Sequence, residues 1–372
     1  MKTVLHIIDT TGPGGAETVF IDLANHLPKD KFRSVITIRG KGWVYDELCR
    51  RGMHPILLDA KGSFNWRFLL RLRRLVKEEK VDLIQSHLLG SSVYASLVSL
   101  LTGIPVVATF HGVVDIGENE RFKRLKFGAI NLGAQRVIAV SNMLQKDILG
   151  RTPLRADKTK IIYNGIDTSM FQKPRSNSLR QRYGWSEDDF IIGSLGNIRP
   201  AKAYEFLLKA AALLHENSNK PYRFVIAGQP DSKGNLYEGL LEQRKELGLE
   251  KTVQFLGFLD DPAEFLANLD LFLSSSLSEG LPLSAIQAMS ARLPLLATRC
   301  GGYEELVTHK ENGWLVEVGN SDVIAEAIEL LSSKPEIRAE LASRAKQHVV
   351  ETFDLNVMLH EYESTYDAVL NS

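Results

Sequence analysis

The chain has 372 residues, 44% hydrophobic and 24% charged, which is room for about two globular domains, each with its own core. Its two cysteines, Cys49 and Cys300, lack CxxC spacing; that argues against a disulfide scaffold or a thiolate zinc site and fits a reducing cytosol. Formal charge is zero, but residues 1–170 hold 25 Lys and Arg against 16 Asp and Glu, and residues 171–372 hold 20 against 29; the basic half points to an anionic partner, a phosphate-bearing substrate or a membrane surface.

The opening "MKTVLHIIDT" reads as a first strand, because a signal peptide needs a longer apolar core. No run approaches the ~18 apolar residues of a membrane span. Further strand candidates in the first half are 34–38, 54–58, 81–86, 105–110, 136–140 and 160–163, separated by amphipathic stretches such as 16–27 and 64–79. Apolar strands alternating with helical crossovers predict a parallel sheet covered on both faces. The pattern lapses over 168–189, which is rich in Ser, Arg and Pro, and restarts at 190–196, 222–228, 253–257, 269–275 and 293–298. The end, 320–372, has helical periodicity. The expected architecture is α/β, with two Rossmann-like, doubly wound domains over 1–168 and 189–354, a linker over 169–188, and a last helix at about 355–372. In such sheets ligands sit at the carboxyl ends of the strands, so the crevice between the domains is the expected site.

Several stretches can carry chemistry. "DTTGPGGAE" (9–17) is a glycine-rich turn opening a helix, whose free N–H groups favour an anion. The position of a third fingerprint glycine is Glu17, and the second strand ends at Arg39 without a ribose-binding acid, so a dinucleotide site is disfavoured. In "GSLGNIRPAKAYEF", Asn197, Arg199 and Lys202 lie between a strand and a helix, and two cations on such a turn suit a diphosphate. His87 and His111 end two strands of the first half, a placement compatible with substrate contact as well as with a structural role. "SEGLPLSAIQAM" (278–289) sets Glu279 before a helix that carries Gln287. With no HExxH, paired cysteine or Asp-x-Asp, a metal is not expected, and a leaving group's charge falls to cations and backbone dipoles. "NWRFLLRLRRLVKEEK" (65–80) and "RFKRLKF" (121–127) are basic with apolar faces; the first reads as a crossover helix and the second as the better candidate for a membrane surface.

Taken together, "GPGGAE", "ATFHG", "YNGID" (163–167), "GNIRPAK" (196–202), "EGLPLSAIQAM" (279–289), "ATRCGGYEELV" (297–307) and "ENGWLV" (311–316) resemble, in order and spacing, the retaining GT-B glycosyltransferases of family 4. The resemblance implies two Rossmann-like domains facing a central cleft, with the nucleotide sugar held mainly by the second and the acceptor by the first. It implies a final helix packed back on the first domain.

Carried over by position, it makes Glu279 the acid on the donor sugar's hydroxyls and His111 the histidine beside the reacting carbon. It assigns Lys202, with the N–H groups of Leu283 and Ser284, to the diphosphate, and Arg199 stands two residues after Asn197 as a substitute cation. Gly14 and Gly15 approach the β-phosphate, and Gln287 takes the place of a ribose-holding glutamate. Asn197 stands where an arginine is common, and Arg292 where a glycine is frequent. The expected function is retaining, metal-independent transfer from a UDP- or GDP-sugar, with no cofactor, to an acceptor hydroxyl in polysaccharide, lipopolysaccharide or glycolipid assembly. The expected acceptor is a lipid-linked saccharide or phospholipid. The expected location is the cytoplasm, peripheral on the inner face of an anionic membrane, with no nucleic-acid partner. The competing readings are a GT-B-fold scaffold with weakened catalysis and a sugar-nucleotide epimerase.

Overall fold

A computed structural model describes residues 1–59, 64–112, 121–230 and 235–371. The chain divides into two compact units, Met1–Gly165 with Leu355–Ser372, and Ile166–Asp354.

In the first unit strands and helices alternate: β1 (Lys2–Ile8), α1 (Gly15–His26), β2 (Phe32–Ile38), α2 (Trp43–Arg50), β3 (Ile56–Leu57), α3 (Trp66–Glu78), β4 (Leu83–His87), α4 (Leu89–Thr102), β5 (Val106–Phe110), α5 (Lys123–Gly133), β6 (Arg136–Ala139), α6 (Asn142–Arg151) and β7 (Thr159–Ile161). The seven strands pair in parallel in the order β3-β2-β1-β4-β5-β6-β7. Every residue of β4 and β5 is buried, as expected of strands covered on both faces. Helix starts carry side-chain caps where the chain supplies them: Asn65 accepts from the Phe68 N–H at α3, and Ser141 from that of Leu144 at α6. Gly103, at φ +73°, ends α4.

The second unit holds α7 (Ser178–Tyr183), β8 (Phe190–Leu195), α8 (Tyr204–Asn217), β9 (Tyr222–Ala227), α9 (Leu236–Glu246), β10 (Val253–Gly257), α10 (Pro262–Leu266), β11 (Leu271–Ser274), α11 (Leu283–Ser290), β12 (Leu295–Thr298), α12 (Tyr303–Leu306), β13 (Trp314–Val316), α13 (Ser321–Ser333) and α14 (Pro335–Thr352). Its six strands are parallel in the order β10-β9-β8-β11-β12-β13. β13 lies within the stretch "ENGWLV" and is too short to show a strand period. The last helix, α15 (Leu355–Leu370), counts with the first unit.

The stretch 169–188, which reads from sequence as a linker, is folded into the second unit. α7 buries Leu179, and the Arg180 guanidinium donates to Asp270 Oδ2 at 3.1 Å and to the Asp189 carbonyl at 2.9 Å. The segment is held by ion pairs and side-chain-to-backbone bonds instead of an apolar stripe, so hydropathy does not reveal it.

In each sheet the strand order reverses direction at one point, between β1 and β4 and between β8 and β11. There adjacent strands send their connections to opposite faces and leave room for a ligand beyond their carboxyl ends.

Candidate active site

In the second unit the two connections at that reversal are 196–203, after β8, and 275–282, after β11. They bring Lys202 and Glu279, 77 positions apart, into an ion pair: Lys202 Nζ donates to Glu279 Oε1 at 2.7 Å. The side chains are 20% and 14% exposed. Ser276 Oγ donates to the same carboxylate oxygen at 2.7 Å, and Ser275 Oγ to the Lys202 carbonyl at 3.0 Å. Burial acts to lower the Lys202 pKa, but the Glu279 carboxylate outweighs it, so the ammonium is held above the ordinary lysine value.

Gly196 makes room for this lysine, since a Cβ there would lie 2.6 Å from Lys202 Cε. Ala203 follows at φ +49°, a left-handed conformation costly for a residue with a Cβ, and the turn carrying Lys202 is thereby strained. On the other side, Gly301 and Gly302 let the backbone after β12 run directly against residues 279–280. A Cβ at either position would overlap the carbonyl oxygen of Glu279 or Gly280, and the Gly302 N–H donates to the Glu279 carbonyl at 2.9 Å. Thr298 Oγ1 and Cys300 Sγ both donate to the Ser276 carbonyl, the latter at 3.2 Å. Burial pushes the Cys300 thiol up to about 11, so it is present as a neutral donor at pH 7. Sequence reasoning missed Ser276, Thr298 and Cys300. "ATRCGG" stood out as a stretch, but its bracing role is visible only when β11 and β12 lie side by side.

α11 starts after Pro282 with no side-chain cap. Its first N–H groups, those of Leu283 and Ser284, have no partner within the helix and carry the positive end of its dipole. Ser284 and Gln287, one turn apart, are the residues of α11 that are not fully buried. Gln287 makes no side-chain hydrogen bond among the described residues. Arg199 is exposed beside Lys202. Asn197, half-buried, braces the backbone: its Oδ1 accepts from the Gln229 N–H at 3.2 Å. Arg292 stands just past α11 at φ +59°, where the N–H of Leu293 bonds the Ala288 carbonyl at 3.0 Å. This left-handed helix stop is the conformation a glycine adopts without strain.

The first unit presents a different surface at its own reversal. Gly14 is the extended residue before α1, and Gly15 opens the helix without a side-chain cap. A side chain at Gly14 would collide with the Glu17 carboxylate, which folds back over the helix start. His87 ends β4, and His111 follows β5. His87 Nδ1 and His111 Nε2 lie 2.9 Å apart. His87 is wholly buried and His111 half-buried. Burial lowers the His111 pKa to about 3, and burial together with the neighbouring His111 and His6 holds His87 well below the usual histidine range. Both rings are neutral at pH 7. Sequence reasoning noted both histidines but not the residues behind them, Gln85, Thr109, Tyr362 and Tyr366. The first two lie within apolar strands and the others within a helical apolar stripe, where a polar group gives no local signal.

Two family models match adjacent parts of the chain: "Glycosyltransferase Family 4" over residues 13–170 and "Glycosyl transferases group 1" over residues 176–348. The chain is 28% identical over 309 residues to the N-acetyl-alpha-D-glucosaminyl L-malate synthase of Bacillus anthracis, covering 81% of this chain and 78% of that protein. It is 24% identical over 312 residues to an Escherichia coli UDP-Gal:alpha-D-GlcNAc-diphosphoundecaprenol alpha-1,3-galactosyltransferase, covering 82% and 80%. Among solved structures, Anabaena Alr3699/HepE in complex with UDP and glucose superposes with a TM-score of 0.88 at 25% identity, over 99% of this chain and 100% of that one. The paired parallel sheets, the match of both family models and the whole-length superposition lead to one conclusion: this chain is a GT-B-fold glycosyltransferase and belongs to the family 4, group 1 glycosyltransferases.

Proposed function

We propose that the protein moves a hexose from a nucleoside diphosphate to an acceptor hydroxyl with retention at the anomeric carbon and without a metal. The observation that carries this reading is the Lys202–Glu279 pair at the strand-order reversal of the second sheet. It puts a carboxylate able to hold sugar hydroxyls next to a cation able to hold a diphosphate. Arg199 and the N–H groups of Leu283 and Ser284 add to the charge stabilisation, and Gln287 accepts a ribose hydroxyl. Gly14 and Gly15, at the start of α1, leave backbone N–H groups for the β-phosphate. His111 positions the sugar through a hydrogen bond. The glycosidic oxygen–carbon bond to the diphosphate breaks as the acceptor oxygen attacks the same face of that carbon. The acceptor's proton passes to the departing phosphate oxygen, so no side-chain base is required.

UDP is the favoured carrier because the Anabaena relative is described with UDP and glucose. A lipid-linked saccharide is the favoured acceptor because the E. coli relative acts on a diphosphoundecaprenol-linked sugar. The surface of α5 and of the two residues before it suits a lipid-borne acceptor at the inner face of an anionic membrane. Phe122, Leu125 and Leu132 are 59%, 73% and 72% exposed among Arg121, Lys123, Arg124 and Lys126. α3, by contrast, buries Phe68, Leu72, Leu75 and Val76 as a crossover helix does. Among the described residues no helix is long and apolar enough to cross a membrane.

The test is mass-spectrometric detection of nucleotide release from a panel of UDP- and GDP-sugars, with lipid extracts as acceptor, before and after EDTA. Turnover that survives chelation is expected. Glu279→Gln should lower turnover at least about 100-fold, roughly 2.7 kcal/mol of barrier, with nucleotide affinity little changed. Unchanged turnover in that variant defeats the assignment of Glu279, and release of nucleotide from no donor favours a scaffold.

A further inference from the structure

In the first sheet the steps β3 to β4, β4 to β5 and β5 to β6 run in one direction across the strands, and β1 to β2 and β2 to β3 run in the other. Right-handed crossovers therefore put α3, α4 and α5 on one face of the sheet and α1 and α2 on the opposite face. α4 packs between its two neighbours. Tyr94 of α4 meets the Phe68 ring of α3 edge-on, with centroids 4.7 Å apart, and a Cβ at Gly133 of α5 would lie 2.2 Å from the Ser96 carbonyl oxygen of α4. The three helices form one layer.

The charge of the basic half collects on that layer. Trp66–Glu78, Leu89–Thr102 and residues 121–133 hold nine Lys and Arg against one acid, Glu78, whereas α1 and α2 hold one arginine against four acids. α3 uses both of its sides. Opposite the buried Phe68, Leu72, Leu75 and Val76, the row Trp66, Leu70, Arg73 and Lys77 recurs at helical spacing and is exposed throughout, with Trp66 at 61%. Arg67 and Arg71 begin an equally exposed row beside it. Among the described residues Arg74 pairs with Glu78 at 3.4 Å, while Arg71, Arg73 and Lys77 have no carboxylate partner. α4 has no charged residue at all. Its outward side chains are Val93 and Leu97, half-buried, and Leu100 and Leu101, each 54% exposed. The layer thus presents an apolar ridge bordered by cations.

That pattern selects its occupant. An anionic bilayer offers acyl chains to the leucines, phosphates to the guanidinium groups and a headgroup boundary to Trp66. A polyanion such as nucleic acid would satisfy the cations and leave the α4 ridge in water. A second copy would set arginine against arginine, because a two-fold contact uses the same patch twice. We propose that the outer face of α3, α4 and α5 docks flat on an anionic phospholipid bilayer. This extends the α5 surface of the proposed function to a three-helix layer, and rests on that reading for the lipid-borne acceptor. Trp66 and Phe122 stand where α3 and α5 begin, toward the carboxyl ends of the strands, and Leu100, Leu101 and Leu132 where α4 and α5 end. Both ends of the layer are anchored, so the sheet lies along the membrane. The carboxyl ends of its strands then stand one helix diameter, about 10 Å, above the headgroups, within reach of a saccharide carried on a lipid phosphate.

The experiment is co-sedimentation of the full chain with vesicles of phosphatidylcholine containing about one-third phosphatidylglycerol, and with pure phosphatidylcholine, at low and at physiological salt. Binding to the anionic vesicles that weakens with salt is expected, with pure phosphatidylcholine bound at least about tenfold more weakly. Arg71→Ala combined with Arg73→Ala should lower the partition coefficient about 25-fold, since each basic residue near an anionic surface contributes about fivefold. Leu100→Ser combined with Leu101→Ser should lower it at least about fivefold, from the apolar area lost. Both variants should keep the wild-type Tm and UDP affinity, which separates a lost contact from a lost fold. Failure to bind anionic vesicles overturns the proposal, and so does equal binding to pure phosphatidylcholine. Binding that survives the α3 and α4 changes and is lost only with Leu125→Ser overturns the three-helix face and leaves α5 alone. A dimer in sedimentation equilibrium that Leu100→Ser with Leu101→Ser dissociates, without vesicle binding, overturns it in favour of a second copy. The binding is read without donor or acceptor, so a protein that binds vesicles but releases nucleotide from no donor overturns the enzymatic reading alone.

Discussion

Lys202→Met tests whether the ion pair at the candidate site is structural as well as functional. At 2.7 Å and an effective dielectric constant of about 20, the attraction between the two charges is about 6 kcal/mol. Most of it is offset by the water that both groups lose. Removing one partner of a buried pair strands the other charge and costs about 3–5 kcal/mol. Because the two side chains keep 20% and 14% of their exposure, and Ser276 Oγ still donates to Glu279, the expected loss is at or below the low end of that range, about 2–3 kcal/mol. In a unit of this size that lowers Tm by about 5–10 °C.

The paired change Lys202→Met with Glu279→Gln leaves no stranded charge. It should recover at least about 1.5 kcal/mol relative to the sum of the single changes, while turnover stays as low as in Glu279→Gln. The assay is calorimetry and urea unfolding of the four proteins of the cycle, with nucleotide release measured on each. Additive single effects, within about 0.5 kcal/mol, refute the coupling. The bond would then be a passing contact between two functional side chains, and Glu279 would be held by Ser276 and the glycine pair alone.

Acid should weaken the first unit through its buried histidines. Burial lowers His6 and His111 from 6.5 to about 3. The unfolded chain therefore takes up protons that the folded one refuses, so stability is complete above about pH 6.5 and falls as pH drops toward 3. At pH 5 the loss is about 2 kcal/mol for each of these histidines. A Tm unchanged between pH 7.5 and 5.0 contradicts this. Arg292→Gly replaces a strained left-handed residue by one that is not, at an exposed position just past α11, and should raise stability by about 0.5–1 kcal/mol in urea unfolding; a loss of stability shows that the arginine side chain has its own role. Gly301→Ala forces a methyl against the Glu279 carbonyl from a backbone at φ +49°. It should cost at least about 2 kcal/mol and displace Glu279, lowering turnover as well, whereas wild-type turnover in the variant refutes the bracing role of this glycine.

The sequence by itself determined the fold class and most of the elements. Continuous apolar runs such as 105–110 and 136–140 became the fully buried β5 and the largely buried β6, because parallel strands covered on both faces have no choice but to be apolar throughout. Residues 169–188 resisted the same reading, since Arg180 is secured by Asp270 across 90 positions and such a tie leaves no periodic trace. The turns that carry Lys202 and Glu279 were recognisable because chemistry there needs particular residue types after particular strands. Their meeting at 2.7 Å was not, because it depends on β8 and β11 being neighbours, which only the sheet order supplies. The same holds for Gln85, Thr109, Tyr362 and Tyr366. Each is an isolated polar residue in an apolar stretch, and only the packing of α15 against β4 and β5 joins them into one hydrogen-bonded cluster behind His87 and His111. Local pattern reports what a residue's neighbours in sequence require of it; a buried polar contact is set by a partner that can lie hundreds of positions away, as Tyr366 does from Gln85.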